Sequence, residues 1–230
     1  MSESYNFYDE LHLGIIDYYH SPELQLSWGG PFNNQKFRQQ IFLELLEIID
    51  FTAIVETGTY RGTTTDFIAK TSHLPVYTVE SHPRYYAYSK IRFFNHPNIN
   101  NYYGDSRVFL RQLSKHLRQE QILFYLDAHW NDDLPLRKEI QIVFNNWHNA
   151  LVLIDDFQVP DDRGYSYDDY GEGKALALEY LNCLEYLNLQ KFFPAINSEL
   201  ETGGKRGCVV LAQAPEIIEK LKMTKTLKSY

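Results

Sequence analysis

Short apolar runs alternate along this chain with segments whose apolar positions recur every three or four residues. The runs "AIVET", "VYTVE", "NINNYY", "ILFYLD" and "ALVLIDD" predict five strands. Between them, "GTYRGTTTDFIAK", "PRYYAYSKIRFF", "RVFLRQLSKHL" and "LPLRKEIQIVFNNW" predict helices, the second opened by proline. Upstream, "KFRQQIFLELLEIID" places Phe37, Ile41, Leu45 and Ile48 at helical spacing, after a loop "GGPFNNQ" and a polar, aromatic-rich lead. Downstream, "GKALALEYLNCLEYLNL" carries a stripe of Leu176, Tyr180, Leu184 and Leu187. The end, "KFFPAINSELETGGKRGCVVLAQ", holds two strand-like runs around a "GG" loop, which reads as an antiparallel pair.

Strands alternating with helices imply an α/β three-layer sandwich: a mostly parallel, Rossmann-like sheet with helices on both faces. The near-continuous apolarity of "ILFYL" and "LVLI" suits central strands buried on both sides. With the terminal pair the sheet has seven strands, the last antiparallel. Residues 1–34 form an N-terminal lead able to cap the fold or join two copies through exposed aromatics, and residues 35–230 form the main domain.

The chain has 230 residues, enough for one substantial core without staples, and its two cysteines, Cys183 and Cys208, form no metal or disulfide pattern. A net charge of -8 argues against nucleic acid as partner. The start "MSESYNFYDELHLG" lacks the marks of a secretory signal, and no run approaches the length of a membrane span. The expectation is a cytoplasmic protein with a small-molecule substrate.

In an open α/β sheet, ligands bind beyond the carboxyl ends of the strands. Four of the predicted strands end in acids: Glu56, Glu80, Asp127, and Asp155 with Asp156. Strand polarity puts them along one edge. Gly58 and Gly62 frame a strand-to-helix turn that matches neither common phosphate-binding signature. Glu80 stands where a carboxylate can accept both hydroxyls of a ribose. Arg61 suits either a cofactor carboxylate or a surface ion pair. Asp105 and Ser106 suit either a helix N-cap or an adenine edge.

Asp127, Asp155 and Asp156 converge if strands four and five are neighbours, and their mutual repulsion is removed by a divalent cation. Oxygen ligands suit Mg2+. His129 either joins such a site, favouring manganese or iron, or acts as a base. The plainer reading of "DAHWNDD" is a hydrated acidic loop, in which Trp130 packs rather than lining a substrate pocket. The loop "FQVPDDRGYSYDDYGEG" is long and aromatic enough to close over substrate, with Tyr165, Tyr167 and Tyr170 as candidate contacts.

"AIVETGTYRGTTTDFIAK" and the acidic end of "VYTVE" resemble the first two motifs of class I S-adenosylmethionine-dependent methyltransferases. The resemblance covers about residues 50–212. "FYLDAHWNDDLP" followed by "LVLIDDF" is similar to the metal-dependent O-methyltransferases of the catechol type and of the macrocin and cephalosporin-hydroxylase-like branch, of which "GGPFNNQKFRQQI" is also reminiscent. The resemblance implies strand order 3-2-1-4-5-7-6 and methyl transfer to a hydroxyl of a sugar, phenol or polyketide-like molecule.

It further implies S-adenosylmethionine held by Glu56, Gly58, Tyr60, Arg61, Gly62, Glu80, Asp105 and Ser106, and metal on Asp127, Asp155 and Asp156. The catechol-type enzymes carry a lysine base where this chain has Asn131, which leaves His129 as the substitute, with Asp127 beside it. Two other classes stay open on the residues: a nucleotide-dependent oxidoreductase, and a non-catalytic Rossmann-like binding module.

Overall fold

A computed structural model describes residues 6–117, 120–129 and 133–230. Trp130, Asn131 and Asp132 lie outside the described residues. The five parallel strands are β1 (Ala53–Thr57), β2 (Val76–Glu80), β3 (Ile99–Tyr103), β4 (Ile122–Leu126) and β5 (Leu151–Asp155). β6 (Gln190–Pro194), β7 (Cys208–Ala212) and β8 (Leu227–Ser229) complete one sheet of order β3-β2-β1-β4-β5-β7-β6-β8, antiparallel from β5 onward. The predicted order 3-2-1-4-5-7-6 is present. The short eighth strand, added beyond β6, has too few residues to register as a pattern in sequence.

Alternation along the central strands divides the interior into two cores. Val55, Phe124, Val152, Ile154, Val209 and Leu211 face one layer, where α6 (Ser106–Leu113) and α7 (Leu136–Asn146) pack. Ile54, Leu123, Tyr125, Leu151, Leu153 and Val210 face the other, covered by α3 (Lys36–Ile48), α4 (Thr63–Ser72) and α8 (Pro215–Lys222). β1, β4, β5 and β7 are buried at every position, as strands covered on both faces must be. The apolar stripe at 176–187 is buried as expected, but Leu178–Leu187 is a run of 3-10 turns instead of an α-helix.

The lead is more structured than its pattern suggests. α1 (Phe7–His20) docks on α5 (Pro83–Arg92) through Glu10, Gly14 and Asp17, its buried residues. A Cβ at Gly14 would lie 2.1 Å from the Arg84 carbonyl oxygen, and Asp17 accepts two hydrogen bonds from the Arg84 guanidinium at 2.7 and 2.9 Å. The apolar residues Phe7, Leu13, Ile15 and Ile16 stay exposed, so hydrophobic periodicity could not mark this contact face. No described helix is long and apolar enough to cross a membrane.

"GGPFNNQ" is a left-handed turn, α2 (Pro31–Asn34): Phe32, Asn33 and Asn34 have φ of 51°, 57° and 57°. Such a conformation costs L-residues roughly 1–2 kcal/mol each, so it persists only where the surroundings hold it. Phe32 is buried among Phe42, Phe67 and Tyr125, and its N–H donates to the Thr64 hydroxyl at 3.1 Å. From the β6–β7 connection, Gly204 N–H donates to the Asn33 carbonyl at 2.9 Å and the Thr202 hydroxyl to the Asn34 carbonyl at 2.8 Å. The same connection supplies Glu201, whose carboxylate accepts Phe37 N–H and Arg38 N–H and so satisfies open donors at the start of α3.

Candidate functional site

Parallel pairing sets Thr57 beside Leu126 and Leu126 beside Ile154, so the residues just past β1, β4 and β5 meet at one edge of the sheet. Asp127, His129 and Asp156 converge there, each offering one ligand atom, all within 4.8 Å of one another. His129 is 4% exposed, and neither of its ring nitrogens has a hydrogen-bond partner among the described residues. Its Nε2 lies 3.9 Å from Asp127 Oδ1 and 3.8 Å from Asp156 Oδ2. These separations are too long for hydrogen bonds. They match ligands around one cation, where bonds of about 2.0–2.6 Å put adjacent ligands some 3 Å apart and opposed ones about 4–5 Å apart. Asp156 reaches inward because its backbone is left-handed, at φ 53°. Burial, then the charges of Asp155, Asp156 and Glu56, push the Asp127 carboxyl well above the ordinary carboxylate range. A cation would relieve that repulsion.

Asp155, expected as a third metal ligand, has other partners. Its carboxylate pairs with the Arg38 guanidinium and accepts the Tyr125 hydroxyl at 2.5 Å and its neighbour's Asp156 N–H at 2.9 Å. The side chains of Arg38 and Asp155 are each 1% exposed. Burial would raise the Asp155 carboxyl, but Arg38 and these hydrogen bonds hold it below the usual range. The Tyr125 hydroxyl also stands 3.2 Å from Asp127 Oδ2, so it touches both acids. In place of Asp155 the structure brings His129 into the acid group, with Asp168 Oδ2 a further 3.9 Å from Nε2.

Across β1 lies a cleft lined by Ser27, Trp28, Gly30, Glu56, Tyr60 and Asp127, among others, with a volume of about 60 Å3. Glu56 is buried at its floor, where Oε2 accepts the Thr65 and Thr78 hydroxyls at 2.5 and 2.7 Å. Burial, reinforced by Glu80, pushes its carboxyl up to about 7 against those hydrogen bonds. Glu80 closes β2, and its two oxygens accept Tyr60 N–H and His82 N–H, both at 2.7 Å. Tyr60, at φ 49°, packs its ring on Tyr85 at 4.4 Å between centroids, and the Arg61 guanidinium covers both rings. Arg61 also lies 4.0 Å from Asp17.

The two turn glycines are needed for packing. A Cβ at Gly58 would sit 2.2 Å from the Asp127 carbonyl oxygen, and one at Gly62 would sit 2.3 Å from the Phe93 ring. Asp105 caps α6, accepting Arg107 N–H and Val108 N–H, and pairs with the Arg107 guanidinium. Ser106 is buried beside Glu139, whose carboxyl is raised by burial against the opposing hydroxyls of Ser106 and Thr57 and the charge of His129. Of the loop tyrosines, Tyr165 is in the core with its hydroxyl on the Ile196 carbonyl, whereas the Tyr170 hydroxyl reaches the His129 carbonyl at 3.1 Å.

Sequence reasoning passed over Arg38, Asp168 and Arg206. Arg38 was detectable: it stands three, four and seven residues before Ile41, Phe42 and Leu45, the buried face of α3. A lone arginine on an apolar face demands a buried acid. Asp168 and Arg206 meet only through tertiary structure, and nothing in their spacing announces it.

No protein-family model matches the sequence, and no curated protein matches it. Solved structures do match in shape. An O-methyltransferase from Bacillus cereus in complex with S-adenosylhomocysteine superposes with TM-score 0.54 at 15% identity, covering 89% of this chain and 90% of that one. The O-methyltransferase TomG from Streptomyces achromogenes, involved in tomaymycin synthesis and bound to S-adenosylmethionine, gives 0.53 at 15% identity, covering 77% and 80%. The Podospora anserina methyltransferase PaMTH1 bound to S-adenosylhomocysteine gives 0.55 at 12%, covering 90% and 87%. At such identities the likeness is one of fold: the chain has a class I S-adenosylmethionine-dependent methyltransferase-like fold, similar in shape to O-methyltransferase structures.

Proposed function

We propose that this protein is an S-adenosylmethionine-dependent O-methyltransferase acting on a hydroxyl of a small molecule with the help of a divalent cation. The observation that carries the reading is a buried imidazole, without a hydrogen-bond partner among the described residues, facing Asp127 and Asp156 next to a cleft lined by Glu56. The donors suit both groups. Glu56 offers a carboxylate to a cofactor ammonium, and Glu80 offers its remaining lone pairs to ribose hydroxyls. Gly104 opens onto free space at the end of β3, leaving room for an adenine edge beside Asp105 and Ser106.

A bound divalent cation would supply a Lewis acid that lowers the pKa of a substrate hydroxyl. Asp127, His129 and Asp156 would hold it. One nitrogen among the oxygens shifts the preferred ion from Mg2+ towards Mn2+. His129 suits the ligand role better than the base role, because its Nε2 faces carboxylates instead of the cleft. Asp127 borders both the acid group and the cleft, which supports a role for it as acceptor of the hydroxyl proton. Catalysis then rests on holding the acceptor oxygen in line with the methyl group. Trp28 and Tyr60 line the cleft with ring centroids 6.3 Å apart, so an entering cofactor would meet both rings.

Calorimetry with S-adenosylmethionine and S-adenosylhomocysteine, each with and without Mn2+, tests the reading. Binding of both cofactors, with methyl transfer abolished by chelator, is expected. Absence of binding to either nucleoside refutes the methyltransferase reading. Activity indifferent to chelator removes only the cation.

A further inference from the structure

We propose that Asp168, on the loop after β5, is a fourth ligand of the cation site, tying that loop to the bound ion. The inference rests on the cation reading above and is independent of methyl transfer. Asp168 Oδ2 lies 3.9 Å from His129 Nε2, the same spacing as Asp127 Oδ1 and close to the 3.8 Å of Asp156 Oδ2. The imidazole is almost wholly buried, and no described group hydrogen-bonds to it. Asp168 Oδ2 thus comes as near this nitrogen as the oxygens of Asp127 and Asp156, the two acids that lie within 4.8 Å of it and of each other.

Asp156 and Asp168 are set as a matched pair. Asp168 N–H donates to the Asp156 carbonyl at 2.9 Å, which fixes the two backbones together. Arg206 then grips the outer oxygen of each: Nε donates to Asp156 Oδ1 at 2.5 Å, and the guanidinium pairs with Asp168 Oδ1. The inner oxygens are the two that face His129. Arg206 is itself anchored, its N–H donating to Gln35 Oε1 at 2.9 Å and its carbonyl accepting from Gln35 and Arg38. Three acidic side chains about one ring nitrogen, two of them held from behind by Arg206, are a donor set that suits a divalent cation.

The loop consequence follows from Tyr170. Its hydroxyl stands 2.5 Å from Asp168 Oδ2 and 3.1 Å from the His129 carbonyl. It has one hydrogen to give. When Asp168 Oδ2 turns to a cation, the carbonyl is the alternative acceptor, and the tyrosine stays seated over the site. The same loop is closed on itself by Leu176 N–H donating to the Asp168 carbonyl at 2.8 Å, and Ser166 N–H donates to the Lys205 carbonyl at 2.9 Å in the connection that leads into β7. An ion on Asp168 therefore orders a segment able to cover substrate.

The test uses the full chain and Mn2+ alone, titrated by the loss of its free-ion paramagnetic signal. Asp127→Asn should abolish binding. Asp168→Asn should weaken it by at least tenfold, and Asp169→Asn, which removes the same charge one residue along on an exposed side chain, should leave it within twofold. Asp168→Glu, which can keep the Arg206 pair, guards against simple misfolding: altered Mn2+ affinity with an unchanged melting temperature supports a ligand. Trypsin cleavage after Arg163 and Lys174 should slow with Mn2+ in the wild type but not in Asp168→Asn. Wild-type Mn2+ affinity in both Asp168 variants overturns the inference while leaving the three-residue site standing. No Mn2+ binding by the wild type overturns both, without bearing on cofactor binding.

Discussion

Replacing Arg38 by Met probes the element that holds α3 against the strand ends. The guanidinium pairs with Asp155 and donates to the Arg206 carbonyl at 2.6 Å, and both side chains of the pair are 1% exposed. Met preserves most of the stem's volume, so what is lost is the charge and its donors. Asp155 keeps the Tyr125 hydroxyl and Asp156 N–H but no counter-charge. Breaking one side of a buried pair costs about 3–5 kcal/mol, whereas the Arg206 carbonyl keeps the Gln35 amide as a donor at 2.8 Å. Against a typical stability of about 5–15 kcal/mol, that is a large fraction.

The pH dependence carries the sharper test. In the wild type Asp155 is held below its usual pKa, so its stabilisation is present above the unfolded value near about 3.9 and is lost as pH falls through the folded value. In Arg38→Met the burial contribution is left without its main opponent and pushes the carboxyl up. The penalty is then absent below the unfolded value and grows as pH rises. Urea unfolding at pH 5 and pH 7.5 should show a deficit that is larger at pH 7.5. Arg38→Met with Asp155→Leu should recover much of the loss, because an apolar pair of similar volume removes the stranded charge. A deficit below about 1 kcal/mol, or one equal at the two pH values, would refute the buried-pair reasoning.

Four further outcomes are expected. Because the Glu56 carboxyl is pushed up to about 7, affinity for S-adenosylhomocysteine should climb about tenfold per pH unit below that value and level off above it, while Glu56→Gln flattens the profile; calorimetry across pH 5.5–8.5 decides. Gly203→Ala places a Cβ 2.1 Å from the Asn33 carbonyl oxygen at φ 62°, so it should cost about 3 kcal/mol in denaturant unfolding; a loss under about 1 kcal/mol would mean that the interlock with the left-handed turn is loose. Trp28→Phe should remove most of the tryptophan fluorescence change produced by S-adenosylhomocysteine, since Trp28 lines the cleft beside Tyr60. His129→Ala should lower Mn2+ affinity by at least about tenfold and Mg2+ affinity by less, read by calorimetry, because imidazole favours the later transition ions.

How much of this was legible depended on whether hydrophobic pattern or pairwise chemistry did the positioning. The sheet core was legible because β1, β4 and β5 are buried on both faces and read as unbroken apolar runs. α1 was not, because its buried face consists of Glu10, Gly14 and Asp17, which no hydrophobic periodicity marks. "GGPFNNQ" read as a loop because three left-handed residues have no signature apart from asparagine, and Phe32 gave no sign of being a core residue. Gly58 and Gly62 read as a strand-to-helix turn, and only the fold shows that their missing side chains make room for Asp127 and Phe93. The acid-rich edge was found from strand polarity alone, but the partners that assign each acid its task, Arg38 and Arg206, lie 117 and 50 residues away from the acids they hold.

The dipeptide Asp155–Asp156 shows why the assignment of tasks needed the fold. Alternation along β5 puts Asp155 on the face of Leu151 and Leu153, the layer covered by α3, and there Arg38 meets it. The pleat alone would send Asp156 to the opposite face, away from Asp127. Its left-handed backbone instead brings Oδ2 to within 3.8 Å of His129, at the conformational cost that active sites commonly bear. Two identical neighbours therefore divide the work. Asp155, still inside the strand, fastens α3 to the sheet and, through the Tyr125 hydroxyl, steadies Asp127. Asp156, the first residue free of the ladder, turns to the site. The acid inside the strand is thus held by α3 and Tyr125, and the one past its end is held by Arg206 and the Asp168 backbone, so each has its own set of partners.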